Sequence, residues 1–176
     1  MRTLSLLFIA LAACASAPKE SSSASVRSDE FYALANGVPV IHVRDHSLPT
    51  VKVVLEFPRG ANTEAPDEEG AVALLASLME RGAGGKSALE MAAAAENLGL
   101  EIGVSAGREN LTISGSGLKR HLPRLLELMN LVAASPNLSA DELERVRRQQ
   151  LARFVQERSQ PSKLGSNVML KKLYGA

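Results

Sequence analysis

Tryptophan is absent, and two Tyr and four Phe bring the aromatic share to only 3%. A chain this poor in rings offers no aromatic groove and no platform for stacking nucleobases. There is one cysteine, Cys14, which excludes an intramolecular disulfide and any multi-cysteine metal site. Histidine occurs three times, at His42, His46 and His121, so any imidazole motif must be built from these. Neither charge sign dominates: 20 Lys+Arg face 19 Asp+Glu, and removing the first 13 residues takes away only Arg2. A balanced surface has no electrostatic footprint for nucleic acid, and none is expected as a partner. What is present is 176 residues, 45% hydrophobic and 22% charged. That is enough for one ordinary domain and rules out wholesale disorder.

The N-terminus is organised for export. Met1-Arg2 is a short positive region, and Leu4 to Ala12 is apolar apart from Ser5. The run is too short to span a bilayer but suits a signal peptide. It ends in Leu11-Ala12-Ala13-Cys14, which resembles a bacterial lipobox with Cys14 as the lipidated first mature residue. Several acyl chains on one residue anchor far more firmly than a single marginal chain. The alternative is ordinary cleavage among the small residues from Ala13 to Ala17, with Cys14 incidental. Residues 1–13 are thus expected to be a lipoprotein signal peptide and 14–28, rich in Ser and Ala, a flexible tether. The expected location is the bacterial cell envelope, lipid-anchored and facing the periplasm. Ala15 rather than an acidic residue after the cysteine points to the outer membrane.

Residues 29–176 read as one α+β domain, a mostly antiparallel sheet covered by helices on one face. Segments 31–35 and 38–43 flank Asn36-Gly37, a strong hairpin signal. Pro39 removes a ladder donor, so its strand should lie at an edge or begin there. Residues 50–57 alternate, with Val51, Val53, Leu55 and Phe57 on one face and Lys52, Val54 and Glu56 on the other. A helix is expected over 68–81, and Gly82 to Gly85 should simply stop it. Ser87 and Glu90 form a capping box opening a second helix to Leu98. A strand pair follows across Gly107, carrying Leu100, Ile102 and Val104, then Leu111 and Ile113. Leu118, Leu122, Leu125, Leu126, Met129 and Val132 then make a helical stripe, with Pro123 confined to its first turn. A further capping box at Ser139 and Glu142 opens a basic helix expected to bury Leu143, Val146, Leu151 and Phe154. Pro161 leads into a last helix towards Tyr174.

Two motifs are decoys. His42-Val43-Arg44-Asp45-His46 has the spacing of an inverted zinc-peptidase motif, with Asp for Glu. That chemistry needs both imidazoles on one helical face. This segment is β-branched and bounded by Pro39 and Pro49, and in a strand the two His would lie about 13 Å apart. His121, among Lys119 and Arg120, is expected to be solvated. The glycines before Lys86-Ser87 fail the phosphate-loop spacing, because Glu80 stands where the first glycine is needed.

The order of these segments resembles the N-terminal half-domain of the pitrilysin/insulinase family of zinc metallopeptidases, the inverzincins. The stretches that carry the resemblance are Leu34 to Val43 and Val51 to Gly60, Gly70 to Gly82, and Leu98 to Ile102. Beyond them come Ser135 to Ser139, Glu142 to Arg145, and Pro161 leading to Gly175. The resemblance implies a zinc site, and there this sequence departs from the family. The two histidines and the general-base glutamate of H-x-x-E-H fall at Ala73, Ser77 and Ala76. The remaining ligand falls at Arg153 and a supporting glutamate at Val146. Without donors there is no Lewis acid to activate water, and without the base nothing takes its proton. No His lies between His46 and His121, so no shift of register restores the motif.

The resemblance therefore implies a non-catalytic member, without metal of its own, zinc being expected only in an active partner. It would act as a substrate-binding or scaffold subunit beside an active insulinase-like homologue, or with its own missing second half-domain. Extended peptides would lie along the strands bearing Val51, Val53, Leu100 and Ile102. The alternatives are a stand-alone membrane-anchored peptide-binding module and a truncated remnant without independent function.

Overall fold

Asn36-Gly37 does what its chemistry suggests. In the computed structural model, which describes residues 29–174, Gly37 takes the left-handed φ of 84° that a tight turn demands. Its N–H donates to the Leu34 carbonyl at 2.8 Å, and the Asn36 side chain accepts from the Val38 N–H at 3.2 Å. The turn joins β1 (Asp29–Ala33) to β2 (Pro39–Val43), antiparallel with Ala33 opposite Pro39. The proline opens its strand, as expected. Glu30 spans the hairpin, meeting Arg44 at 2.6 Å and His42 at 3.3 Å. His42 is therefore a strand residue with a surface partner. This hairpin belongs to one compact unit, ending at Ser47, and the rest of the fold to a second, beginning at Leu48.

The second unit is built on β3 (Thr50–Phe57), β6 (Glu101–Ala106) and β7 (Leu111–Leu118), all antiparallel, with β7 in the centre. Register fixes the faces. Val53, Gly115 and Ile102 form one cross-strand row, and Leu55, Ile113 and Val104 the next. These rows face the core, where Ile113 is fully buried. The intervening rows, Lys52–Ser116–Glu101, Val54–Ser114–Gly103 and Glu56–Thr112–Ser105, face away. Their side chains are small or polar except Val54.

Helix α3 (Leu122–Ala134) lies against β7 because Gly115 leaves room. A Cβ there would stand 2.6 Å from the Met129 sulfur and 2.7 Å from Leu125 Cδ1. Leu125, Leu128, Met129 and Val132 are buried, whereas Leu126 is 46% exposed. The expected stripe was thus off by one side chain, since Leu128 rather than Leu126 faces the sheet. Pro123 sits in the first turn. Ahead of it, His121 is half-buried and accepts a hydrogen bond from Arg120 Nε at 3.0 Å, so it is less solvated than expected.

Helix α1 (Ala71–Met79) is shorter than the expected 68–81. The Glu64 carboxylate caps it from outside, accepting the Gly70 and Val72 N–H groups at 2.8 and 2.7 Å. After α1 the glycines do more than stop a helix. They form a small hairpin, β4 (Gly82–Ala83) and β5 (Lys86–Ser87). Asn137 ties it down: its side chain accepts from the Gly85 N–H at 3.2 Å and donates to the Lys86 carbonyl at 2.7 Å. Helix α2 (Ala88–Glu96) starts at Ser87 with the full capping box.

Helix α4 (Ala140–Arg158) starts at Ser139, whose hydroxyl accepts the Glu142 N–H. The box is half-made, because the Glu142 carboxylate binds Arg145 Nε at 3.0 Å instead of turning back. Of the side chains expected to be buried, only Val146 is. Leu151 is 53% and Phe154 48% exposed. Periodicity identifies the face that wants cover, but α5 (Pro161–Tyr174) covers it only in part.

Candidate functional site

The fold brings together the two helices on which the resemblance places a metal site. Helix α1 lies against β6 and against α4, and Gln150 of α4 donates to the Gly70 carbonyl at the start of α1 (3.5 Å). On α1, Ala73 is exposed, Ala76 is 5% exposed within the core, and Ser77 is half-buried. The Ser77 hydroxyl donates to the Ala73 carbonyl at 3.0 Å, so the one oxygen among the three positions is already engaged. On α4, Val146 is buried, and Arg153 reaches along its own helix to Glu157 at 3.0 Å. A methyl, a second methyl, a hydroxyl turned to its own backbone and a guanidinium make no donor set for zinc. Among the described residues no group of three or more His, Cys, Asp and Glu side chains is gathered for a metal ion.

The four positions expected to meet a peptide are distributed differently from what the sequence suggested. Val51 and Val53 are half-buried on the core face of β3. Leu100 is 3% exposed and precedes β6, seated where a side chain at Gly117 would otherwise be. Its side chain is therefore core and not free to meet a ligand. Ile102 lines a cavity of about 170 Å³ together with Met79, Glu80, Met91, Ala95 and Val104. Of these four side chains Ile102 borders a cavity, and the sheet's outer strands, β3 and β6, each have one edge that pairs with no strand among the described residues. The outward face is polar apart from Val54, being lined by Ser105, Thr112, Ser114 and Ser116.

The position that sequence reading missed is Glu80, just past α1. Its carboxylate accepts the Val104 N–H of β6 at 3.2 Å. Nothing in the local pattern announces it, since the partners are 24 residues apart. A second concavity, of about 480 Å³, lies between α4, α5 and the start of α1, lined by Leu151, Phe154 and Leu164 with Glu69 and Arg158. Cys14 and residues 14–28 lie outside the described residues.

Comparison with known proteins agrees with this arrangement. The profile of the family described as Insulinase (Peptidase family M16) matches residues 39–174, most of the chain. A curated relative, the non-peptidase homolog YmxG of Helicobacter pylori (strain ATCC 700392 / 26695), is 26% identical over 137 residues. That alignment takes in 78% of this chain and 32% of the relative. The crystal structure of a peptidase M16 inactive domain from Pseudomonas fluorescens superposes with a TM-score of 0.75 at 29% identity, covering 85% of this chain and 36% of that one. A protease structure from Helicobacter pylori shares the fold, with a TM-score of 0.63 at 21% identity over 70% of this chain and 30% of its own. The chain spans about a third of the length of each. It belongs to the insulinase family, peptidase family M16, and its domain is of that family's non-catalytic kind.

Proposed function

We propose that this M16 domain is a peptide-holding or scaffold subunit of the cell envelope, without metal of its own. In this reading, hydrolysis belongs to an active zinc-peptidase homologue beside it or to a chain completed by a second half-domain. The observation that carries the reading is the outer edge of β6, which pairs with no other strand among the described residues. Such an edge binds extended peptides through main-chain hydrogen bonds and therefore tolerates varied side chains. The need for a partner is supported by the apolar side chains that α4 and α5 leave exposed. Leu151, Phe154, Val155, Val168, Met169 and Leu173 are each about half exposed or more, a concentration typical of interaction surfaces. Anchoring through Cys14 completes the proposal and rests on the lipobox sequence.

The test is purification from native membranes in mild detergent, followed by sizing and identification of co-purifying chains. The expected result is an assembly larger than the monomer that contains an insulinase-like chain with an intact H-x-x-E-H motif. A monodisperse monomer that binds extended peptides selects the stand-alone module instead. A monomer that captures neither overturns the proposal. Cys14→Ser should release the protein from membranes, and unchanged fractionation would refute the lipid anchor.

A further inference from the structure

The Glu80–Val104 bond fixes the parity of the open edge. In an antiparallel ladder, alternate residues turn both backbone groups towards the partner strand or away from it. Val104 lies opposite Ile113, yet its N–H goes to Glu80. So Ile102, Val104 and Ala106 turn their N–H and C=O groups outward, while Glu101, Gly103 and Ser105 serve β7. Val104 is the middle outward residue of the strand, where an added strand would seat a carbonyl. The Glu80 oxygen stands in for that carbonyl. Glu80 also borders the 170 Å³ cavity, whose other walls, Met79, Met91, Ala95 and Ile102 among them, are apolar.

We propose that Glu80 is a displaceable gate on the β6 edge. It holds the Val104 N–H until an extended segment supplies a backbone carbonyl there and lowers one aliphatic side chain into the adjoining cavity. This rests on the peptide-holding reading above and names how that edge is regulated. A carboxylate on an outward N–H blunts an edge against indiscriminate strand pairing, as charged groups on natural edges do. The edge need not be distorted to open, because α1 ends at Met79 and Glu80 is exposed. Its side chain can swing away without disturbing the core.

Two measurements on the full chain test the gate. The first is residue-resolved amide exchange without any peptide. Val104 should exchange about ten-fold or more slowly than Ile102 and Ala106, its outward neighbours, the size expected for one hydrogen bond to a charged acceptor. Glu80→Ala should abolish the difference, and Glu80→Gln, which keeps an acceptor oxygen, should retain part of it. If Val104 exchanges as fast as its neighbours in the wild type, or Glu80→Ala leaves it unchanged, the gate is wrong whatever peptides do. The second is titration with a labelled unstructured peptide carrying one Leu flanked by Lys. Glu80→Ala should bind about ten-fold tighter than the wild type, with Glu80→Gln between them. Equal binding by wild type and Glu80→Ala overturns the gate and leaves the peptide-holding reading standing. No binding by either protein overturns that reading and the gate with it.

Discussion

Restoring the family's general base should cost this domain a large part of its stability. Ala76, where the resemblance expects a glutamate, is 5% exposed and belongs to the core cluster with Met79, Leu125 and Ile113. Ala76→Glu adds a carboxyl side chain to a full space, for about 1–3 kcal/mol of overpacking. Leaving the carboxyl without a partner adds about 1–3 kcal/mol more. The sum, about 4 kcal/mol, is a sizeable fraction of the 5–15 kcal/mol typical of a domain. At roughly 2–4 °C per kcal/mol for a chain of this size, the midpoint should fall by about 8–16 °C.

The control is one turn away on the same helix. Ala73 is exposed, so Ala73→His should stay within about 0.5 kcal/mol. Both variants are compared with the wild type by urea and thermal unfolding of the full chain. The pH dependence gives a second reading. Burial raises the folded pKa of the introduced glutamate above its unfolded value of about 4.3. The part of its penalty that comes from ionisation should therefore be absent below that value and grow as pH rises through the raised one, while the overpacking part stays constant. If Ala76→Glu loses no more than Ala73→His, the placement of α1 on the sheet is wrong.

Three further outcomes are expected. Gly115→Ala should destabilise by about 1–3 kcal/mol, because the new methyl meets Met129 and Leu125. Gly103→Ala, whose nearest neighbour would be Ser114 Oγ at 3.9 Å, should be neutral or stabilising by up to about 1 kcal/mol; equal effects on urea midpoints would refute the assigned faces. The Ser87 N–H and then its hydroxyl hold the Glu90 carboxyl below its usual range. The stability this contributes is present above the unfolded value of about 4.3 and lost as pH falls through the lowered one. Glu90→Gln should remove that part of the acid dependence, and an unchanged acid limb would refute it. Elemental analysis of the purified chain after exposure to zinc should find no stoichiometric metal. Stoichiometric zinc that is lost on substitution in α1 would overturn the reading of the helix positions.

Much of this protein was legible in its sequence because the signals were local. Asn36-Gly37 and Pro39 specify a hairpin and where its second strand opens, and Ser87 with Glu90 fixes the start of α2. Alternation over residues 50–57 separated the inward from the outward side chains up to Leu55, while Phe57, grouped with the inward set, is 40% exposed at the strand's end. That Ala73, Ala76 and Arg153, at positions the resemblance assigns to the metal site, cannot donate to a cation in any conformation needed no coordinates. Less legible were features made by partners distant in the chain. Glu64 caps α1 across six and eight residues, and Asn137 clamps the β4–β5 hairpin from 51 and 52 residues away. No propensity or period encodes such pairings.

The same division separates Leu126 from Leu128, and the edge from the side chains upon it. Helical spacing gives a stripe wide enough to include either leucine, and only the approach of α3 at Gly115 decides which is buried. Sequence alone determined that this chain is an α+β domain whose residues at the positions the resemblance assigns to the metal offer no donor set, because residue identity sets donor chemistry and local periodicity sets element type. Tertiary structure alone decided that Leu100 is core, that α4 and α5 leave an apolar face uncovered, and that Glu80 stands on the β6 edge. Those depend on which backbone groups and side chains meet through space, and that is settled only when the strands take their register and the helices their seats.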